Sequence, residues 1–163
     1  MASAANKVIR FGIVTCSDTR ELTQDDAGHA LERLIEDKGW EVASHVIVKD
    51  DVSQIADAIV AAADGQQADV VLTCGGSGLS PRDVTPEATR QVCEREVPGI
   101  AEGMRAHSLS ITPYAMLSRA VCMQRGTCLV VNLPGSTKAA SENWEAIEGV
   151  IPHAVAMMAR EGH

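Results

Sequence analysis

Aromatic side chains are close to absent from this chain, which has two tryptophans, one tyrosine and one phenylalanine among 163 residues. The core must therefore be built from Ala, Val, Ile, Leu and Met. That favours tightly packed helices against a Val/Ile-rich sheet, and it leaves little to stack on single-stranded nucleic acid. Positive charge is also short: 14 Lys and Arg face 22 Asp and Glu, for a formal net charge of -8. With no basic run to follow a phosphate backbone, no nucleic acid partner is expected. A phosphorylated small molecule stays open, because main-chain N–H groups and one or two cations suffice to hold it. No apolar stretch is long enough to span a bilayer, so no membrane partner is expected. Met1 to Lys7 lacks the apolar segment of a signal peptide and is expected to be flexible. These absences point to a soluble, cytoplasmic protein. The five cysteines form no C-x-x-C pair and fit neither a zinc nor a disulfide framework, so they read as reduced, partly buried thiols. No repeat, low-complexity stretch or linker divides the chain, and its length suits one domain over residues 1–163.

What is present is alternation. Val8 to Cys16 is a short, nearly continuous β-branched run, as expected of a strand buried on both faces. Ala27 to Lys38 has helical spacing of its apolar positions and stops at Gly39. Val42 to Val48 is a second strand. A second helix follows with Ser53 as its cap and closes near Gly65. Ala68 to Cys74 is the clearest strand. Thr85 is the expected cap of a third helix, with Pro86 at its first position, running to about Glu96. Ile100 to Leu109 predicts another helix. Arg119 to Met123 and Thr127 to Leu133 are the last strands. A long final helix carries the stripe Ala140, Trp144, Ile147, Ile151, and Pro152 should break or kink it. Strands alternating with helices imply an α/β domain with a mostly parallel sheet and helices on both faces.

In open parallel sheets, ligands bind beyond the carboxyl ends of the strands. In this sequence those ends run into Ser17-Asp18, Lys49-Asp50-Asp51, Gly75-Gly76-Ser77-Gly78 and Pro134-Gly135-Ser136. Three glycines in four residues permit positive φ and close approach of a ligand, and their N–H groups can form an anion nest. The turn is neither a P-loop nor a dinucleotide fingerprint, since both spacings are missing. Arg82-Asp83 beside it can hold a phosphate and a metal, or can be an ordinary surface ion pair. Ser136, Thr137 and Lys138 open the last helix, where the dipole favours an anion, or Ser136 simply caps it. Asp50 and Asp51 can ligate Mg²⁺ through oxygen, or form a capping turn. His29, His45, His107, His153 and His163 share no metal-ligand spacing, and most of them read as surface or cap residues. Trp40 and Trp144 read as packing or interface residues.

Taken together, the motifs resemble the MoaB/Mog family of molybdopterin-binding proteins. The resemblance rests on Gly75-Gly76-Ser77-Gly78-Leu-Ser-Pro-Arg82-Asp83-Val84-Thr85-Pro86-Glu87, on Ser17-Asp18 and Asp50-Asp51, on Val97 to Ile100, on Leu117 to Arg119 and on Leu133 to Ala139. These occur in the family's order over nearly the whole chain. Ser77 stands where Thr is commoner, Lys49 where many members have Pro, and Thr137 where the Mog branch has Pro, so the chain is closer to the MoaB branch.

The resemblance implies a three-layer α/β/α fold, a homotrimer or hexamer, and contact with other molybdenum cofactor enzymes. It also implies Mg²⁺-dependent transfer of AMP from ATP to molybdopterin with release of pyrophosphate. By the same resemblance Asp50 and Asp83 are the catalytic and Mg²⁺-holding acids. Ser17, Asp18, Gly75, Gly76, Ser77, Gly78, Arg82, Pro134, Gly135, Ser136 and Lys138 then line the pterin and nucleotide pocket. A non-catalytic pterin carrier of the same pathway, or a nucleotide-binding domain of another, are the competing expectations.

Overall fold

A computed structural model describes residues 7–160 of the chain. Residues 1–6 of the segment expected to be flexible, and His163, lie outside the described residues. Lys7 is described, and its Nζ donates to Asp69 Oδ1 at 2.7 Å.

The strands are β1 (Arg10–Cys16), β2 (Glu41–Val48), β3 (Val70–Cys74), β4 (Arg95–Glu96), β5 (Cys122–Arg125) and β6 (Cys128–Leu133). The helices are α1 (Asp26–Asp37), α2 (Val52–Val60), α3 (Thr85–Val92), α4 (Pro98–Leu109), α5 (Thr137–Ile147) and α6 (Ile151–Ala159). One six-stranded sheet runs in the order β2-β1-β3-β6-β5-β4. The pairs β1–β2, β1–β3 and β3–β6 are parallel, and β5 pairs antiparallel with both β6 and β4.

Strand pleating sorts the core into two layers, because successive side chains point to opposite faces. Ile13, Val70, Leu72, Val131 and Leu133 pack with Leu31, Met104, Trp144, Ile147 and Ile151 from α1, α4, α5 and α6. Val14, Val71 and Val130 pack with Ile55, Ile59 and Ala88 from α2 and α3. Helices thus cover both faces, giving the three-layer α/β/α architecture. Three of the four aromatics are concentrated in one place: Phe11 stacks on Trp40 at 5.5 Å between centroids, and Trp144 meets both edge-on at 5.6 and 6.0 Å. The final helix divides as expected, with Pro152 in the first turn of α6.

Several local expectations need correction. Asp51, not Ser53, caps α2: its carboxylate accepts from Gln54 N–H, while Ser53 Oγ donates to Asp51. A carboxylate at that position also favours the helix dipole. Thr85 lies inside α3 rather than capping it, with its hydroxyl donating to the Gly75 carbonyl at 2.9 Å. The third helix ends at Val92, and the residues read as its last turn form β4 on the sheet edge.

One histidine stands apart from the surface and cap positions expected of most. His45, in β2, is nearly enclosed, with Nε2 donating to Asp25 Oδ2 at 2.6 Å and Nδ1 facing Glu32. Asp25 is fully buried at the start of α1 and accepts from Thr15 Oγ and from Gly28 N–H as well. Burial pushes its carboxyl up, but the hydrogen bonds from His45, Thr15 and Gly28 and the imidazolium charge outweigh it and hold the pKa at about 2. Gly28 makes the arrangement possible, since a β-carbon there would fall inside contact distance of both Asp25 Oδ2 and the His45 ring.

A depressed carboxyl contributes stability that is present above the ordinary carboxylate range and lost as pH falls through the folded value. Asp25→Asn should therefore lower stability at pH 7 by about 3 kcal/mol, the order expected for removing one partner of a buried ion pair. The deficit relative to the unmutated chain should shrink as pH falls from about 4 towards about 2. Denaturant unfolding of both proteins across that range checks this, and a deficit independent of pH would contradict it.

Candidate functional site

The strand order reverses at β1: the chain passes from β1 outward to β2, then back across β1 to β3. The carboxyl ends of β1 and β3 form the switch point where open α/β sheets place their ligands. Here the backbones come unusually close. A β-carbon on Gly75 would stand 2.8 Å from the Cys16 carbonyl oxygen, and one on Gly135 would stand 3.3 Å from the Gly75 α-carbon. Gly75 and Gly76 adopt φ of +101° and +71°, which side-chain-bearing residues rarely take. The loops after β1, β3 and β6 therefore meet at bare backbone.

Within the turn, the Gly75 N–H donates to Leu133 O at 3.0 Å and extends the sheet. It is not free for a ligand. The N–H groups of Gly76, Ser77 and Gly78 donate to no acceptor among the described residues. The turn is held from outside by its carbonyls: Thr85 N–H donates to Gly76 O and Arg119 N–H to Ser77 O. The Arg119 guanidinium reaches Gly78 O at 2.7 Å, Asp83 O at 2.8 Å and Glu87 Oε1 at 2.6 Å.

Both singled-out acids face this turn. Asp50 Oδ1 would lie 3.3 Å from a β-carbon on Gly76, and Asp83 Oδ2 2.9 Å from one on Gly78. Asp83 is braced by the Ser80 N–H at 3.1 Å. Asp50 Oδ1 is buried and accepts no hydrogen bond. Burial, and then the negative charges of Asp18 and Asp83, push the Asp50 carboxyl above its ordinary value, with only its bond to Asp18 and the charge of Arg82 opposing. Asp18 accepts two bonds from Arg82, both 2.9 Å, and one from Asp50 N–H at 3.1 Å, and these hold its carboxyl below the ordinary range. Arg82 is thus paired with Asp18 across the rim rather than with its neighbour Asp83.

The other candidates take humbler places. Ser17 Oγ accepts from Arg20 N–H at 3.1 Å and shapes the loop after β1. Ser136 caps α5 by accepting from Ala139 N–H. Lys138 is largely exposed at the mouth, 3.8 Å from Glu142. Pro134, with Ser77 and Gly78, borders a hollow of about 290 Å³ whose far wall is Arg105, Ser108, Tyr114, Leu117 and Asn143. Nothing in the sequence alone nominates Arg105, Asn143 or the bracing role of Arg119. The Leu117 to Arg119 motif is the one signal nearby, and it names a segment without a partner.

The comparisons assign the family. Residues 12–153 match the model of a family described as a probable molybdopterin binding domain. The chain belongs to this family.

The chain is 41% identical over 151 residues to the Drosophila melanogaster molybdenum cofactor synthesis protein cinnamon, covering 90% of this chain but only 25% of that protein. It is 35% identical over 153 residues to a Helicobacter pylori molybdopterin adenylyltransferase, covering 91% of this chain and 87% of the relative. The structure of the Thermus thermophilus molybdopterin biosynthesis enzyme MoaB superposes with a TM-score of 0.85 at 43% identity, covering 93% and 96% of the two chains. The match thus spans most of both chains in the bacterial relatives, while the chain covers only a quarter of the insect protein.

Arg119 ties three carbonyl and carboxylate partners together around the glycine turn. Arg119→Ala should cost roughly 1–2 kcal/mol, the range for lost charge-assisted bonds at a half-exposed site. Amide exchange at Gly76, Ser77 and Gly78 should speed up while that of β3 does not. Mass-spectrometric exchange resolves the two segments, and an unchanged turn would show that Arg119 does not brace it.

Proposed function

We propose that this molybdopterin-binding chain is an adenylyltransferase of molybdenum cofactor biosynthesis. In the reaction an oxygen of the terminal phosphate of molybdopterin attacks the α-phosphorus of ATP, the bond to the β-phosphate bridging oxygen breaks, and pyrophosphate leaves. The family match and the names of the relatives support the substrate class. The observation that carries the reading is the buried, unpartnered Asp50 Oδ1, aimed with Asp83 at a turn whose Gly76, Ser77 and Gly78 N–H groups have no acceptor.

An unsatisfied carboxylate oxygen among other negative charges is poised for a cation, and oxygen donors suit Mg²⁺. Asp50 and Asp83 would hold the ion. When bound, Mg²⁺ supplies neutralising charge for the phosphates of ATP. The chain's own groups do the positioning. Gly76, Ser77 and Gly78 offer N–H donors to phosphate oxygens. The N-terminus of α5, with Pro134, Gly135 and Ser136, adds its dipole, and Lys138 at the mouth adds positive charge. Ser17 and Asp18 shape the opposite wall, and Asp18 keeps the Arg82 guanidinium over the rim. Phosphoryl-type transfer needs alignment and charge compensation more than a covalent nucleophile, so this kit suffices. A cytoplasmic setting accompanies the reading, since ATP and reduced thiols are both maintained there.

Incubating the full chain with Mg-ATP and molybdopterin should release pyrophosphate. Asp83→Asn removes one charge but keeps an oxygen to accept from Ser80 N–H. It should therefore lower turnover by about 100-fold or more, the order for losing one preorganised electrostatic group, with unfolding unchanged. A near-normal rate would remove Asp83 from the chemistry. Pterin binding by the unmutated chain without pyrophosphate release would instead make it a carrier.

We also infer a homo-oligomer, trimeric or hexameric, because Leu109, Ile111, Tyr114, Met116 and Leu117 form an exposed apolar segment beside the hollow. Light scattering should give more than one chain per particle at micromolar concentration, and a monomer would contradict this.

A further inference from the structure

Between α1 and β2, away from the rim, three side chains converge that the proposed reaction does not use. His29 and Glu32 lie one turn apart on α1, so both project from one face. His45 enters from β2, and the two imidazole rings stand 5.4 Å apart at 70°. His29 Nε2 donates to the Leu22 carbonyl at 2.8 Å, and His45 Nε2 donates to Asp25 Oδ2 at 2.6 Å. Each ring therefore has its Nε2 fixed by an outer acceptor and its Nδ1 turned inward to the same carboxylate. His29 Nδ1 lies 3.3 Å from Glu32 Oε2, and His45 Nδ1 meets Glu32 Oε1.

We propose that His29, Glu32 and His45 bind one zinc-class divalent ion, with solvent water completing a tetrahedral set. Three arguments support this. The ligand atoms already lie within 4.8 Å of one another, and Zn–N and Zn–O bonds near 2.0–2.2 Å require edges of roughly 3.3 Å. The His29 Nδ1–Glu32 Oε2 separation of 3.3 Å meets that spacing, and small side-chain adjustments of His45 and Glu32 would bring the other edges to it. The outer partners are those of metal-bound histidines: a carboxylate behind one ring and a backbone carbonyl behind the other fix tautomer and orientation. The donor set of two imidazoles and one carboxylate suits zinc and its transition-metal neighbours rather than Mg²⁺ or Ca²⁺. One side of the cluster is open, since His29 and Glu32 are 36% and 28% exposed against 6% for His45, and water and ion can enter there.

The ion would displace any proton on the two Nδ1 atoms and bind as a structural clasp. Asp25, behind His45, also lies 3.7 Å from Arg20 Nη1, and Arg20 reaches Gly135 O at 3.4 Å. His29 holds Leu22. Fixing the two rings therefore fixes, at Leu22 and Asp25, the C-terminal part of the segment from Ser17 to Asp25, which forms one wall of the rim.

The test uses the full chain, stripped with chelator and titrated with Zn²⁺ by calorimetry in excess Mg²⁺, and with Co²⁺ followed by absorption. One equivalent of Zn²⁺ should bind and raise the unfolding temperature. The Co²⁺ spectrum should show tetrahedral nitrogen and oxygen ligation without a thiolate charge-transfer band. His29→Ala, at a part-exposed position, should fold normally and weaken Zn²⁺ binding at least tenfold. Asp25→Asn, which alters the acceptor behind the His45 ring, should weaken it about 10- to 100-fold in protein that circular dichroism shows to be folded. Absence of Zn²⁺ binding, unchanged affinity in His29→Ala, or a thiolate band would each overturn the site.

Discussion

The rim depends on one close approach of main chain to main chain. Gly75 lies against the Cys16 carbonyl on one side and Gly135 on the other, so the ends of β1, β3 and β6 are drawn to a spacing that no side chain permits. The left-handed φ of Gly75 then turns the chain out of the sheet as soon as its N–H has closed the ladder to Leu133. The next three N–H groups follow this turn away from the sheet, while their carbonyls are claimed from behind by Thr85 and Arg119. The open donors are thus a consequence of how the strands end.

Much of this was legible in the sequence. Glycine spacing after an unambiguous strand marked the turn, because few other residues tolerate such backbone angles. The stripe Ala140, Trp144, Ile147 and Ile151 marked a buried helix face, and all four residues are buried in one layer. Pro152 marked the break after it. These signals are local: each is decided within one turn or one strand.

What stayed hidden was decided at long range. β4 is two residues on an exposed edge, stabilised by pairing with β5, and nothing in its own composition distinguishes it from a helix end. The Asp25–His45–Glu32 network joins positions 13 and 20 residues apart whose spacing matches no motif, and only the β1–β2 crossover brings them together. The pairing of Arg82 with Asp18, 64 residues away, likewise depends on the switch point. Spacing along the chain could nominate Arg82 and Asp83 together, but it could not tell which carboxylate the guanidinium would face.

The contrast between the two buried acids separates scaffold from site. Asp25 and Asp50 both lose water, and burial alone would raise both carboxyls. At Asp25 the surroundings answer in full: an imidazolium, a hydroxyl and a helix N–H converge on it, and its pKa settles at about 2. At Asp50 one oxygen receives nothing, the neighbouring charges are of its own sign, and the shift is upward. A carboxylate whose partners are all present is part of the frame. One left under-compensated beside open N–H donors costs stability that folding alone does not recover, and under the function proposed above that cost would be offset when a cation and an anionic ligand bind.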